Sequence, residues 1–496
     1  MKTPLTYCNP LPIPSYPKGI DVHFYTDEED FRSLADPTCV YYDNKWYLYI
    51  SHGMVWVSED FVHWDYHPLN VTLGYAPTVV HFRGKFYLTS NSVNILYVSD
   101  DPCGPFELVG DFKNLKGEHQ MTPDPMLFVD DDDRLYLYYG SSHPGIFGAE
   151  LDPDNPTQLI TEPVLLLKFE PENVWERFGQ FNENPNISYP EGSWMYKKNG
   201  RYYLTFGSPA TQHATYAMGA YVSDEGPLSG FRYQKKNPFA YSRYGLMSGA
   251  GHGSIVDGPN DSIWVFYTSI CGVNDQFERR IGMDPAYINE EGELVCERIT
   301  CTPQWAPGVK DNPGLGNDAD TLPLNCRVHT QGSSRAEGSH YIYAVDECMH
   351  TYWQPAKDDK KPRYVVDFGD FCVIDAVRVI WRDVGLDYKN GILPGAYQYK
   401  IEVADDHFGD WQNMADDNGM NWITIIDKSD NREDMLIDYI PIEPIKAHYM
   451  RLTILGGPEN VQVGLTNLMA FGHIIPWKYK KVPWEDDVPD APSARK

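Results

Sequence analysis

The chain has 496 residues, which at roughly 150 residues per domain leaves room for more than one domain. Its 41 basic and 70 acidic side chains give a formal charge of −29, which repels phosphate backbones and anionic membrane surfaces and argues against a nucleic-acid or membrane partner. Aromatics at 14%, with 40 Gly and 38 Pro, point to many turns and short elements, and no apolar run approaches the ~18 residues that a membrane span needs.

The N-terminal stretch MKTPLTYCNPLPIPSYPKG is broken by prolines and lacks an apolar core, so it does not read as a secretory leader. Nine cysteines form no CxxC pair, and an odd number cannot all be bridged internally. The expectation from both is a cytoplasmic protein with free thiols.

A short pattern then recurs five times: DNKWYLYIS (43–51), RGKFYLTSN (83–91), DDRLYLYYG (132–140), NGRYYLTFG (199–207) and NDSIWVFYTS (260–269). Each copy follows an Asp, Asn or Gly turn and is apolar or alternating, as a strand leaving a hairpin would be. With Trp46, Phe86, Leu135, Tyr202 and Ile263 as equivalent points, the spacings are 40, 49, 67 and 61 residues. That suits blades of about four strands around a channel. A second echo, VSEDFVHW (57–64), VSDDPCGPFEL (98–108) and VSDEGPLSGF (222–231), reads as outer strands of three blades. The fold expected is all-β: a five-bladed β-propeller (1–305), a linker (306–329), a discoidin-like β-sandwich of jelly-roll type (330–474) and an extended tail (475–496).

The inner strand of each blade should precede the repeated turn. Counting back ten or eleven residues gives Asp36, Tyr75, Asp124, Glu191 and His252, each set in a short turn of small residues ahead of an apolar strand. Strand starts of this kind face one mouth of the channel, so three carboxylates, one His and one Tyr should converge there. An acidic residue opening an apolar strand is a poor structural choice unless it has a solvated or chemical task. Two carboxylates flanking a glycosidic bond suffice to hydrolyse it, and a third can tune the acid. Composition and spacing give the triad but not the roles; the division taken is Asp36 as base, Glu191 as acid and Asp124 as modulator.

The segments ADPTCVYYDNKWYLY, TPDPMLFVDDDDRLYLYYG and YPEGSWMYKKNGRYYLTFG resemble the three signature blocks of glycoside hydrolase family 43. YAPTVVHFRGKFYLT and GHGSIVD resemble its second- and fifth-blade segments, so the resemblance covers about residues 30–300. It implies an inverting hydrolase, often an α-L-arabinofuranosidase or β-xylosidase, with the same division among Asp36, Asp124 and Glu191. It also implies a place for His252 near one channel calcium, the only metal or cofactor expected, and a substrate-contacting arginine at Arg280, with Arg279 as the alternative. Tyr75 stands where many members carry Trp, and the insertion at 141–185 is long. The N-D-P-N-G and R-D-P blocks of sucrose- and fructan-cleaving propellers are absent.

Trp56 and Tyr75 are candidate sugar-stacking residues, and His52 and His119 are weaker candidates for hydroxyl contacts. The acidic run Asp130–Asp133 lacks EF-hand spacing and reads as a solvated turn. Past Pro303 the pattern becomes rich in Pro, Gly and Asp; beyond it, Asp346, Trp353, Asp367 and the strand Met450–Ile454 resemble the packing skeleton of a discoidin-type sandwich. The function expected is release of terminal α-L-arabinofuranosyl or β-D-xylosyl units from small neutral oligosaccharides. A β-D-galactofuranosidase or exo-galactanase is the alternative within the class, and a non-catalytic glycan-binding protein the alternative outside it.

Overall fold

In the computed structural model of the chain, residues 6–14, 30–91, 94–272, 277–309, 319–405 and 419–475 are described. Among these, regular structure is β-strand apart from a few single 3-10 turns, and no helix is long and apolar enough to cross a membrane. The sequence 476–496, which covers nearly all of the expected tail, and 310–318 of the expected linker lie outside the described residues.

The five repeats form the second strand of five separate antiparallel sheets: Lys45–Ile50, Lys85–Thr89, Leu135–Tyr139, Arg201–Ser208 and Ile263–Ile270. Each pairs with the strand just before it, namely Thr38–Tyr42, Thr78–Phe82, Met126–Val129, Glu191–Lys198 and Gly251–Asp257. Every sheet runs on sequentially through four strands, so each is one blade. The five first strands neighbour one another in a closed ring, the fifth returning to the first. They are therefore the inner strands, and the fold is a five-bladed propeller.

Local chemistry fixes this register. Asp43–Asn44, Arg83–Gly84 and Asn199–Gly200 each place two consecutive residues at positive φ, as a two-residue type I′ hairpin requires; Asn, Asp and Gly tolerate this, and Arg83 is the one residue of the six outside that set. The pairs Tyr42↔Lys45, Phe82↔Lys85 and Lys198↔Arg201 close directly around them. Because side chains alternate across a strand, a one-residue slip would turn every buried aromatic to the other face.

The second echo differs from its expectation. It spans the end of the third strand and the turn beyond, reaching an outer strand only at Glu107 and Leu108 of blade two, and Ser58, Ser99 and Ser223 each accept backbone N–H groups two or three residues on. The repeated serine is thus a turn-forming hydroxyl.

Blade one meets blade five where Cys39 N–H donates to Ser254 Oγ (2.9 Å) and Trp46 Nε1 to the Asp257 carbonyl (3.0 Å). The N-terminal strand Thr6–Tyr7 pairs with Gln304–Trp305, tying the two ends of the propeller together. Beyond it, one sheet network joins Leu322–Pro323, Gln462–Ile474, Arg363–Val384, Ile437–Gly456, Gln398–Ala404 and Ile423–Lys428 in that spatial order, with His329–Gly332 on Arg363–Val384. Trp353 is fully buried in its core, and Asp346 accepts from Cys348 N–H and the Thr351 hydroxyl.

Candidate active site

The mouth of the channel holds an open pocket, with about 120 Å³ of enclosed space, lined by Asp36, Tyr75, Asn91, Asp124, Glu191, Thr211, His252, Phe277 and Arg279. Three carboxylates from blades one, three and four therefore share one cavity.

Two backbone devices aim them. Asp36 and Asp124 lie two residues ahead of their strands at φ 55° and 47°, and Ala76 holds the equivalent place in blade two at φ 53°. Asp tolerates this left-handed backbone better than most side chains, which suits it to the position. In blades four and five the pairing register shifts instead, between Glu191 and Trp194 and between Gly251 and Gly253. Such bulges redirect a side chain out of the ladder, here Glu191 and His252.

Asp36 is buried, accepts from the Ser51 hydroxyl (2.6 Å) and from Arg279 Nη1 (3.1 Å), and receives the Thr268 hydroxyl oxygen as partner to its own N–H (2.9 Å). Burial alone would raise its carboxyl, but Arg279, His252, Ser51 and His52 together bring it below the usual carboxylate value. Glu191 accepts from Tyr216 Oη at 2.6 Å. Its burial, with some repulsion from Asp36, outweighs Tyr216 and Arg279 and pushes it up to about 7. Asp124 is also pushed up to about 7, by burial first and then by Glu191 and Asp36, against the pull of His252 and the Gly192 N–H. At neutral pH the pocket thus combines an ionised carboxylate at Asp36 with a proton held at Glu191 and Asp124, which titrate as a pair.

His252 Nδ1 lies 3.7 Å from Asp36 Oδ1 and 3.9 Å from Asp124 Oδ2. Its ring packs so close to blade four that a Cβ on Gly192 would come within 2.6 Å of it. A calcium ion needs six to eight oxygen ligands. Among the described residues no group of three or more His, Cys, Asp or Glu is arranged to hold a metal ion. No step of the chemistry is assigned to a metal ion.

The remaining sequence candidates divide. Tyr75 lines the pocket, with the Arg279 guanidinium 5.6 Å from its ring centroid and His52 edge-on to it at 4.7 Å. Arg279, not Arg280, faces the cavity. They are adjacent on the strand Arg279–Ile288 and point to opposite faces, and Arg280 instead donates to the carbonyls of Arg32 and Arg279. Trp56 is not at the pocket: it is fully buried in the core of blade one, donating to the Pro14 carbonyl. His119 is exposed beside Asp111, away from the pocket. Asp130 departs from the solvated turn expected: it is buried and accepts from Lys197 and Tyr202 of blade four, while Asp131, Asp132 and Asp133 are exposed.

Several pocket residues escaped the sequence reading. Ser51 and Asn91 end two of the quoted repeats, so the repeat itself marked them. Thr211, Tyr216 and Phe277 carry no such signal, since they lie outside the repeat.

The profile of glycosyl hydrolases family 43 matches residues 31–294. A β-xylosidase from Xylanibacter ruminicola is 26% identical, over 40% of this chain and 78% of its own. A β-D-galactofuranosidase from Aspergillus niger is 28% identical, over 36% of this chain and 46% of its own. Among solved structures, a thermostable family-43 glycoside hydrolase aligns over 61% of this chain and 99% of its own at 23% identity, with a TM-score of 0.48. With the family match running over more than half of its length and through all five blades, the chain belongs to glycosyl hydrolases family 43.

Proposed function

We propose that this glycoside hydrolase releases terminal pentosyl units, α-L-arabinofuranosyl or β-D-xylosyl, from small neutral oligosaccharides with inversion. The observation that carries the reading is the convergence of Asp36, Asp124 and Glu191 in one pocket with opposed proton affinities at Asp36 and Glu191. Asp36 takes a proton from a water that attacks the anomeric carbon on the face away from the leaving group. Glu191 gives its proton to the departing glycosidic oxygen as the C–O bond breaks. The cycle leaves Asp36 protonated and Glu191 ionised, and exchange with solvent restores both. Asp124 and Glu191 share the pocket as a coupled pair, so ionisation of one makes loss of the proton from the other harder and a proton stays available for the leaving group.

With about 120 Å³ of enclosed space the pocket is below the usual range for a small-ligand site, which favours one terminal sugar ring over a chain threading through. The Tyr75 ring and the Arg279 fork offer one apolar face and directed donors to it. The two relatives named above support both ring classes, one being named for a xyloside and the other for a furanoside. A hydroxymethyl difference between furanosides is worth only ~1–3 kcal/mol, so a β-D-galactofuranoside is the second substrate to try.

Glu191→Gln and Asp36→Asn should each lower turnover of an unactivated disaccharide by roughly 10²–10⁴-fold while sugar binding survives. Wild-type turnover in either variant, or a first-formed product of retained anomeric configuration by NMR, would overturn the assignment.

A further inference from the structure

The C-terminal sheet reaches the catalytic pocket through buried ion pairs. Around the start of the strand Arg279–Ile288, Phe277 and Arg279 face the pocket, whereas Glu278 and Arg280 face a junction with Arg382 and Asp383. Arg382, on Arg363–Val384, donates from Nη1 to both carboxylate oxygens of Glu278, at 2.9 and 3.2 Å, and Arg280 Nη2 reaches the same carboxylate at 3.4 Å. Arg32 donates to Asp383 at 2.7 Å and to both oxygens of Asp434 at 2.8 Å. The side chains of Arg32, Glu278, Arg280, Arg382 and Asp383 are each no more than 6% exposed. Charges this deep persist only when paired, so each pair has little freedom to move.

The two propeller segments gripped in this way are laced to each other. Ser33 Oγ donates to the Phe277 carbonyl (2.7 Å) and accepts from Arg279 N–H (3.2 Å), and Leu34 N–H donates to the Arg279 carbonyl (3.0 Å). One segment runs on to Asp36 and the other ends at Arg279, whose guanidinium donates to Asp36. Ångström-scale misplacement at a reacting centre costs roughly 10²-fold in rate, so what fixes these segments matters to the chemistry.

We propose that Arg382, Asp383 and Asp434 are positioning residues which, through Glu278 and Arg32, hold Arg279 against Asp36, making the C-terminal sheet a working part of the hydrolase. This rests on Asp36 being the base. The groups facing Asp36 are Arg279 and His252 from blade five, Ser51 and His52 from blade one, and Asp124 and Glu191 across the pocket. Of these, the C-terminal sheet acts on Arg279. Loosening it removes positive charge from Asp36 and moves its titration upward.

The test compares the full-length Arg382→Met, Arg382→Lys and Asp434→Asn proteins with Glu347→Gln. Glu347 holds Arg378 at a second contact of the same sheet with the propeller, where Arg378 donates to the Asn9 and Cys301 carbonyls, remote from the pocket lining. Arg382→Met should lower kcat/KM by roughly 10–100-fold and move the acidic limb of its pH profile up by about one unit, with Arg382→Lys recovering most of both. Asp434→Asn leaves Arg32 paired with Asp383, keeps the fold and should shift the same limb by a smaller amount. Glu347→Gln should lower Tm without moving the profile. The proposal fails if Arg382→Met and Asp434→Asn lose only Tm, or if Glu347→Gln moves the limb equally. Retained turnover in Asp36→Asn would instead sink the base assignment itself, a different outcome read in a different protein.

Discussion

Tyr216 donates its phenolic proton to Glu191 at 2.6 Å, and its ring is held in a slot that only glycines leave open. A Cβ on Gly251 would lie 2.2 Å from the Tyr216 ring, and one on Gly207 would lie 2.7 Å from its hydroxyl oxygen. Glu191 is therefore oriented by a side chain that the walls of blades four and five clamp in place.

Removing that hydrogen bond has a defined sign. Tyr216 favours the ionised form of Glu191, so Tyr216→Phe should raise the proton affinity of Glu191 further. The alkaline limb of kcat/KM is expected to move up by about half a unit to one unit, with a loss of roughly tenfold in rate from poorer orientation. A pH–rate profile on an unactivated disaccharide measures both.

The wild-type profile should be bell-shaped. Its alkaline limb should fall near pH 7, where the Glu191–Asp124 pair loses its proton, and its acidic limb below the ordinary carboxylate range, where Asp36 gains one. Asp124→Asn takes a negative charge away from Glu191, so its alkaline limb should move to lower pH. An unchanged limb would show that Asp124 does not tune the acid.

Stability carries the same signature. Glu191 titrates near 4.5 when unfolded and about 7 when folded, so the folded state binds more protons between those values. The stabilisation is complete below about pH 4.5 and is lost as pH rises through 7. Glu191→Gln abolishes that slope, so its advantage over wild type should grow from pH 5 to pH 8 by on the order of 3 kcal/mol. Urea unfolding at the two pH values tests it.

Gly192 sits at φ 60°, and a Cβ there would meet the His252 ring at 2.6 Å. Gly192→Ala should cost about 1–2 kcal/mol from the left-handed backbone alone and displace His252 from between Asp36 and Asp124. Activity should fall by at least roughly tenfold, more than a stability loss of that size explains in a protein still folded at the assay temperature. Thermal unfolding and kcat measured on one preparation separate the two effects.

The five-fold recurrence of turn and aromatic strand was enough to place Asp36, Asp124 and Glu191 at one phase of a repeat, and closing the blades into a ring brings one phase to one place. Type I′ hairpins set by Asp, Asn and Gly are local chemistry, so blade register could be read along the chain. Tertiary packing decided the rest. Arg279 and Arg280 differ only in strand parity, and which face looks into the channel depends on the neighbouring blades. Trp56 and Tyr75 are both aromatics near strands, yet one is sealed in a blade and the other opens onto solvent. Glu191 and His252 reach the pocket through bulges that no repeat spacing reports. Proton affinity followed last: burial raises Glu191 and Asp124 while Arg279 lowers Asp36, because desolvation and charge act through space on groups far apart in the chain.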